Sequence, residues 1–150
     1  MKEPTTMEPV RVAVTVPTRP DDAFRLYTER IAEWWPLETH SVFQQDATGA
    51  VFESREGGRI YEVHRDGRES EWGRVLVWDP PARVVYSWQP NPERSGTTEV
   101  EVRFHEVDGG TRVELEHRGW ERLGDEAEAL RGEYEGGWVT VLDAYERAMG

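Results

Sequence analysis

The stretch TEVEVRFHEVDGGTRVELEH, residues 98–117, decides the fold. From Thr98 to Val107 the residues Val100, Val102 and Phe104 take one parity, and Glu99, Glu101 and Arg103 take the other. Asp108-Gly109-Gly110 is a turn signal. From Thr111 to His117 the alternation resumes, with Val113, Leu115 and His117 against Arg112, Glu114 and Glu116. Side chains of a strand point alternately to its two faces, so each run reads as a strand with one apolar face. Two such runs around a glycine-rich turn read as an antiparallel hairpin.

Working toward the N-terminus, the same pattern repeats. Val84 to Trp88 is a strand, ended by Pro90 and Pro92, and Asp79-Pro80-Pro81 is the turn before it. Trp72 to Trp78 precedes that turn. Asp66-Gly67 is a preferred hairpin dipeptide, and Arg59 to Arg65 is the strand leading into it. Gly57-Gly58 links back to a strand starting at Val51-Phe52-Glu53. Val10, Val12, Val14 and Val16 alternate in a first strand stopped by Pro17 and Pro20. Between these, Asp21 and Asp22 open an amphipathic helix carrying Phe24, Tyr27 and Ile31, and Ile31 to Trp35 forms a second short helical turn before Pro36.

Toward the C-terminus the period changes from two to 3.6. Leu130, Tyr134, Trp138, Val141, Leu142, Tyr145 and Met149 form one helix stripe. The expected class is therefore α+β. A seven-stranded curved antiparallel sheet wraps around a long C-terminal helix, with two short helices between strands 1 and 2, because a sheet with one apolar face must bury it. Residues 1–9 read as a flexible tail and 10–150 as one domain.

Composition narrows the chemistry. The 150 residues contain no Cys, which excludes disulfides, thiolate nucleophiles and iron–sulfur clusters. The net charge of −12 argues against nucleic-acid and anionic-membrane surfaces. Lys2 is the only lysine and falls in the polar tail, so Schiff-base chemistry is not expected. The first residues lack an apolar signal-peptide core, and no run of apolar residues is long enough to span a membrane, so a cytoplasmic location is expected. The four His show no metal-ligand spacing, so neither metal nor cofactor is expected. Ser41 and Ser87 lie outside any nucleophile-elbow motif.

Several pieces in order carry a family resemblance. They are Pro20-Asp21-Asp22-Ala23-Phe24, Trp34-Trp35-Pro36, Gly57-Gly58-Arg59-Ile60-Tyr61, Trp72-Gly73-Arg74-Val75, Trp78-Asp79-Pro80-Pro81, Val85-Tyr86-Ser87-Trp88 and residues 111–120. Over residues 10–149 the chain resembles the START/Bet v 1-like (SRPBCC) superfamily, and is similar to its bacterial branch related to the activator of Hsp90 ATPase. The resemblance implies a helix-grip fold with an apolar cavity between sheet and helix. Members of the superfamily use that cavity for lipids, sterols, hormones or polyketide cyclisation, and fold alone does not choose among them.

The expected cavity wall is aromatic: Trp34, Trp35, His40, Tyr61, Trp72, Trp78, Tyr86, Trp88, Phe104, Leu115, His117, Tyr134 and Trp138. For the strand at Trp72 two faces stay open. One holds Trp72, Arg74, Leu76 and Trp78, the other Gly73, Val75 and Val77, and a bulge would mix them. His117 reads as a cavity acid or base, or as a structural His bonded to a backbone carbonyl, with more weight on the second. Glu62 shares a face with Ile60 and His64 and is the one strand carboxylate worth testing. His64 is expected at an exposed strand end and His105 in solvent. Gly136-Gly137 inside the last helix either leaves cavity volume or permits close packing.

Three functions are carried forward. The favoured one is a binding module for an apolar or aromatic small molecule, acting as a monomer or homodimer and not as an enzyme. The second is a cavity enzyme of cyclase or hydrolase type using His117 or Glu62. The third is a chaperone-associated interaction module, weakened by the absence of a second domain.

Overall fold

The computed structural model describes residues 7–90 and 96–149, with the Met149 side chain left out. Lys2, Pro92 and the place of Met149 on the helix stripe lie outside the described residues. Among the described residues seven strands form: β1 (Val10–Val16), β2 (Ala47–Phe52), β3 (Arg59–His64), β4 (Glu69–Asp79), β5 (Arg83–Trp88), β6 (Thr98–Val107) and β7 (Gly110–Arg118). They make one antiparallel sheet in the order β1-β7-β6-β5-β4-β3-β2. Two helices, α1 (Pro20–Tyr27) and α2 (Ala127–Met149), accompany it. This is the α+β architecture the periodicity predicts and the helix-grip fold the resemblance implies.

The helical boundaries follow local chemistry. Pro20 sits in the first turn of α1, where its missing N–H costs nothing, and Asp21 and Asp22 face the positive end of the helix dipole. The helix ends at Tyr27, so Ile31 belongs to a separate 3-10 turn, Ile31–Glu33. A further 3-10 segment, Trp120–Glu126, leads into α2 and has no periodic signal in the sequence.

Three expectations change. The second strand begins at Ala47, four residues before Val51, because Gly49 and Ala50 pair with Val63 and Glu62 despite their weak strand propensity. Met7, Glu8 and Pro9 are tied down: the Met7 amide donates to Glu121, and Arg131 donates to the carbonyls of Glu8 and Pro9. Strand β4 takes neither expected face whole. Register shifts at Trp72 and Leu76 switch its inward residues, so that Trp72 and Val75 are buried while Arg74 and Leu76 are exposed. Gly73 follows the first bulge because a Cβ there would collide with the Ser87 backbone carbonyl.

The concave side of the sheet is filled by α1 and α2. Leu130, Trp138, Val141, Leu142 and Tyr145 of α2 are buried against it, as the 3.6-residue stripe requires. The convex side carries charge. Glu101 there accepts from Arg118, Arg103 and Arg83 at 2.7, 2.8 and 3.2 Å. Burial alone would raise its carboxyl pKa, but the three guanidinium partners bring it down to about 2.

Candidate functional site

A cavity of about 560 Å³ lies between the sheet and the middle of α2. Four indoles wall it, each brought by a different element. Trp35 follows the Ile31–Glu33 turn, Trp72 is the bulged residue of β4, Trp88 ends β5 and Trp138 lies on α2. Their ring centroids are 4.9 Å apart for Trp35–Trp72, 5.6 Å for Trp72–Trp88, 5.5 Å for Trp88–Trp138 and 5.8 Å for Trp35–Trp138. These spacings are those of favourable tilted and edge-on aromatic pairs, so the box is held by its own ring contacts. Residues 39–42, Pro90, and Tyr134, Gly137 and Val141 of α2 complete the wall.

Every indole N–H of the box already has a protein acceptor. Trp35 Nε1 donates to the His40 carbonyl at 2.8 Å and Trp72 Nε1 to Glu62 Oε1 at 2.6 Å. Trp88 Nε1 donates to the Tyr134 hydroxyl at 3.1 Å and Trp138 Nε1 to His117 Nδ1 at 2.9 Å. What the indoles have left to offer a ligand is carbon edge and π face, which suits stacking more than hydrogen bonding.

A second lobe of about 360 Å³ adjoins the first and shares His40, Trp88, Pro90, Tyr134 and Gly137 with it. Its other lining residues include Gln89, Thr98, Trp120 and Glu133, so it is the more polar half. Gly137 stands at the seam. A Cβ added there would meet nothing nearer than His40 Cδ2 at 4.0 Å, and one added at Gly136 would meet nothing within 4 Å. Gly137 therefore leaves volume at the seam, while Gly136 is exposed and lines neither lobe; the pair does not bring α2 into close contact with the sheet.

His117 and Glu62 serve this wall from behind. The ring of His117 is fully buried, and its partners are side chains, not the backbone carbonyl its strand-end position suggests. Because an indole can only donate, Nδ1 must be the bare nitrogen. Nε2 then carries the proton and donates to Thr98 Oγ1 at 2.6 Å, and that hydroxyl donates onward to the Trp88 carbonyl at 3.3 Å. The chain Trp138–His117–Thr98–Trp88 couples two cavity walls through a neutral imidazole. Burial pushes the His117 pKa down to about 3, so the ring stays uncharged at neutral pH. Glu62 is also fully buried. Besides Trp72 it accepts the backbone N–H groups of Val42 at 2.6 Å and Phe43 at 3.0 Å, which fastens the 39–42 segment over the cavity.

Of the expected wall residues, Trp35, His40, Trp72, Trp88, Tyr134 and Trp138 do line the cavity. Trp34, Trp78, Tyr86, Phe104 and Leu115 belong to packed core, and His117 stands one layer behind the wall. Trp34 donates to the Leu26 carbonyl, and Tyr86 shares a 2.8 Å hydroxyl contact with Tyr27. Tyr61 faces the convex side, under the Arg59 guanidinium at 4.3 Å, because it has the parity of exposed Val51 across the ladder. His64 is more enclosed than its strand-end place predicts, with 13% side-chain exposure, since Phe43 packs edge-on to its ring. His105 is exposed beside Glu114. The loop residues Thr39, Ser41, Val42 and Pro90 join the wall without a sequence signal of their own, while Val141 comes with the helix stripe. His40 and the Gly136-Gly137 anomaly point to their neighbourhood.

Among the described residues no cluster of three His, Asp or Glu is placed to hold a metal ion. None of the described helices is long and apolar enough to cross a membrane.

Comparison with known proteins fits this geometry. A protein of Bacillus halodurans, BH1534, aligns over 97% of this chain and 99% of its own at a TM-score of 0.70 and 15% identity. CalU16 from Micromonospora echinospora aligns over 91% of this chain and 70% of its own, at 0.64 and 24%. Both show the same fold. An anthrahydroquino-gamma-pyrone synthase, Txn09, solved as a ligand complex, is 38% identical over 83% of this chain and 84% of its own, with a TM-score of 0.58. No curated protein matches the chain. The model of the family described as activator of Hsp90 ATPase homolog 1-like protein matches residues 17–150, and the chain belongs to that family.

Proposed function

We propose that this protein binds a flat, apolar, multi-ring aromatic small molecule in the four-tryptophan cavity. The observation carrying this reading is the bonding of the indoles, whose N–H groups are all engaged by protein acceptors, leaving ring faces for the ligand. A volume of about 560 Å³ falls in the usual range for small-molecule pockets, roughly 300–1,000 Å³. The relative named as an anthrahydroquino-gamma-pyrone synthase supports fused-ring, oxygenated aromatics as the ligand class.

Intrinsic tryptophan fluorescence tests the reading. Titration with anthraquinone should quench it saturably, and Gly137→Leu, which fills the seam, should weaken binding at least tenfold. No saturable response across a panel of two- to four-ring aromatics overturns the reading.

A second reading, a cavity enzyme acting on such a molecule, is favoured by the name of the same relative. His117 and Glu62 are poorly placed for it, being buried behind the wall with their polar atoms bonded to the scaffold. His40 is the imidazole in the wall of both lobes. Production of a cyclised product from an uncyclised aromatic precursor by purified protein would decide for the enzyme.

A further inference from the structure

We propose that His40 is the polar contact of the bound aromatic molecule, and that its Nε2 accepts a hydrogen bond from a phenolic or enolic hydroxyl where the two lobes meet. This rests on the aromatic-ligand reading above and adds to it a hydroxylated ligand with a fixed orientation.

His40 is held firmly in place. Its backbone N–H donates to the Pro36 carbonyl at 2.9 Å, and its carbonyl accepts from Trp35 Nε1 at 2.8 Å. The box indole and the His40 backbone therefore fix each other. In the ring, Nδ1 lies 2.6 Å from Thr39 Oγ1. That hydroxyl has a second acceptor in the Pro36 carbonyl at 3.5 Å. In the proposed tautomer the hydroxyl hydrogen lies on that carbonyl, Nδ1–H donates to Thr39, and bare Nε2 is the acceptor. The opposite ring edge, with Cδ2 next to Nε2, is the one nearest Gly137, and both residues line both lobes.

Several other polar groups around the seam are already engaged. The four indoles donate to protein acceptors, and Ser41 Oγ donates to the Leu37 carbonyl while accepting from the Gln44 backbone amide. Thr98 is held by His117 and the Trp88 carbonyl. The titratable groups sharing a lobe wall with His40 are Tyr134, in both lobes, and Glu133, in the second. An oxygenated edge of a stacked ring system placed at the seam would meet Nε2 on an otherwise carbon-rich surface. Thr39 is then a positioning residue that sets which ring nitrogen carries the proton.

Two dyes separate this inference from its parent. Anthraquinone has no hydroxyl to donate, whereas 2-hydroxyanthraquinone adds one phenol. Wild-type protein should bind the hydroxylated dye about fivefold more tightly, the equivalent of one net hydrogen bond. His40→Ala should erase that preference, so that the two dyes bind the variant with affinities within about twofold of each other. Thr39→Val should reduce the preference and Thr39→Ser should restore it, a pattern that a purely structural threonine would not give. Preference retained in His40→Ala, or no preference in wild type while both dyes bind, overturns the inference and leaves the aromatic-ligand reading standing. Failure of both dyes to bind wild type overturns that reading and the inference with it.

Discussion

The two ends of the interior are built from the same kinds of side chain, yet one is solid and the other hollow. At the solid end Phe24 packs on Trp78 and Phe104 with centroids 5.0 and 5.1 Å apart, and Tyr27 packs on Trp34 and Tyr145 at 5.3 and 5.6 Å. Tyr145 also donates to the Ala23 carbonyl, so α2 is bonded to α1 there. At the hollow end the rings stand almost as close to one another, but they enclose space. The difference lies in what α2 presents. Near its C-terminus it presents Leu142 and Tyr145, both fully buried, and nearer its N-terminus it presents Gly137. Aromatic content makes a core; a missing side chain on the gripped helix makes a pocket.

The largest expected effect belongs to the solid end. Phe24→Ala should cost about 3–5 kcal/mol in urea denaturation, the usual range for an aromatic truncated in a close-packed core. Aromatic ligand affinity at the other end should stay within about twofold once the variant is folded. A loss below about 1 kcal/mol would mean that this end is not solid.

The His117 connector comes next, because it joins β7, β6 and α2 at the rim of the hollow end. Its pKa is lower folded, at about 3, than unfolded, near the ordinary 6.5, so the unfolded chain binds the extra proton first. The stability it contributes is complete above pH 6.5 and is lost as pH falls through the window from 6.5 to about 3, at up to roughly 1.4 kcal/mol per pH unit. His117→Gln should cost about 1–3 kcal/mol at pH 7, because Trp138 and Thr98 lose a fitted partner. The difference between the wild-type and variant stability curves should shrink across that same window. A difference constant from pH 7 to pH 4 would show that the ring is not buried in its neutral form.

The solid end and the sheet are legible in the sequence because they obey period rules. Val100, Val102 and Phe104, and Val113 and Leu115, are buried as their alternation requires. The cavity is legible only in part. Trp72 and Trp78 share a parity and lie six residues apart on β4, so one reaches the box and the other the packed end, while the two bulges bring Val75 inward, a backbone choice no side-chain pattern records. Tyr61 departs from its expected place for a related reason, since a strand with large apolar residues on both faces does not say which is inward. Thr39, Ser41 and Val42 leave no trace because their segment is fastened by Glu62 from a strand some twenty residues away, a long-range contact without periodicity.

The smallest expected effects cut closest to the comparison, because they touch two adjacent glycines. A Cβ at position 136 would meet nothing within 4 Å, so Gly136→Ala should stabilise the helix by about 0.5–1 kcal/mol and leave ligand affinity unchanged. Gly137→Ala should bring a similar gain, since the new methyl would meet only His40 Cδ2 at 4.0 Å, an ordinary contact. That methyl, however, enters the seam both lobes share, so aromatic binding should weaken by a few-fold where Gly136→Ala does nothing. Thermal melts and dye titrations on the two variants read the two quantities separately. Equal gains in stability with unequal effects on binding would show that position 137 is kept bare for the ligand at the helix's expense. Equal effects on both would mean that the hollow end is only loose packing.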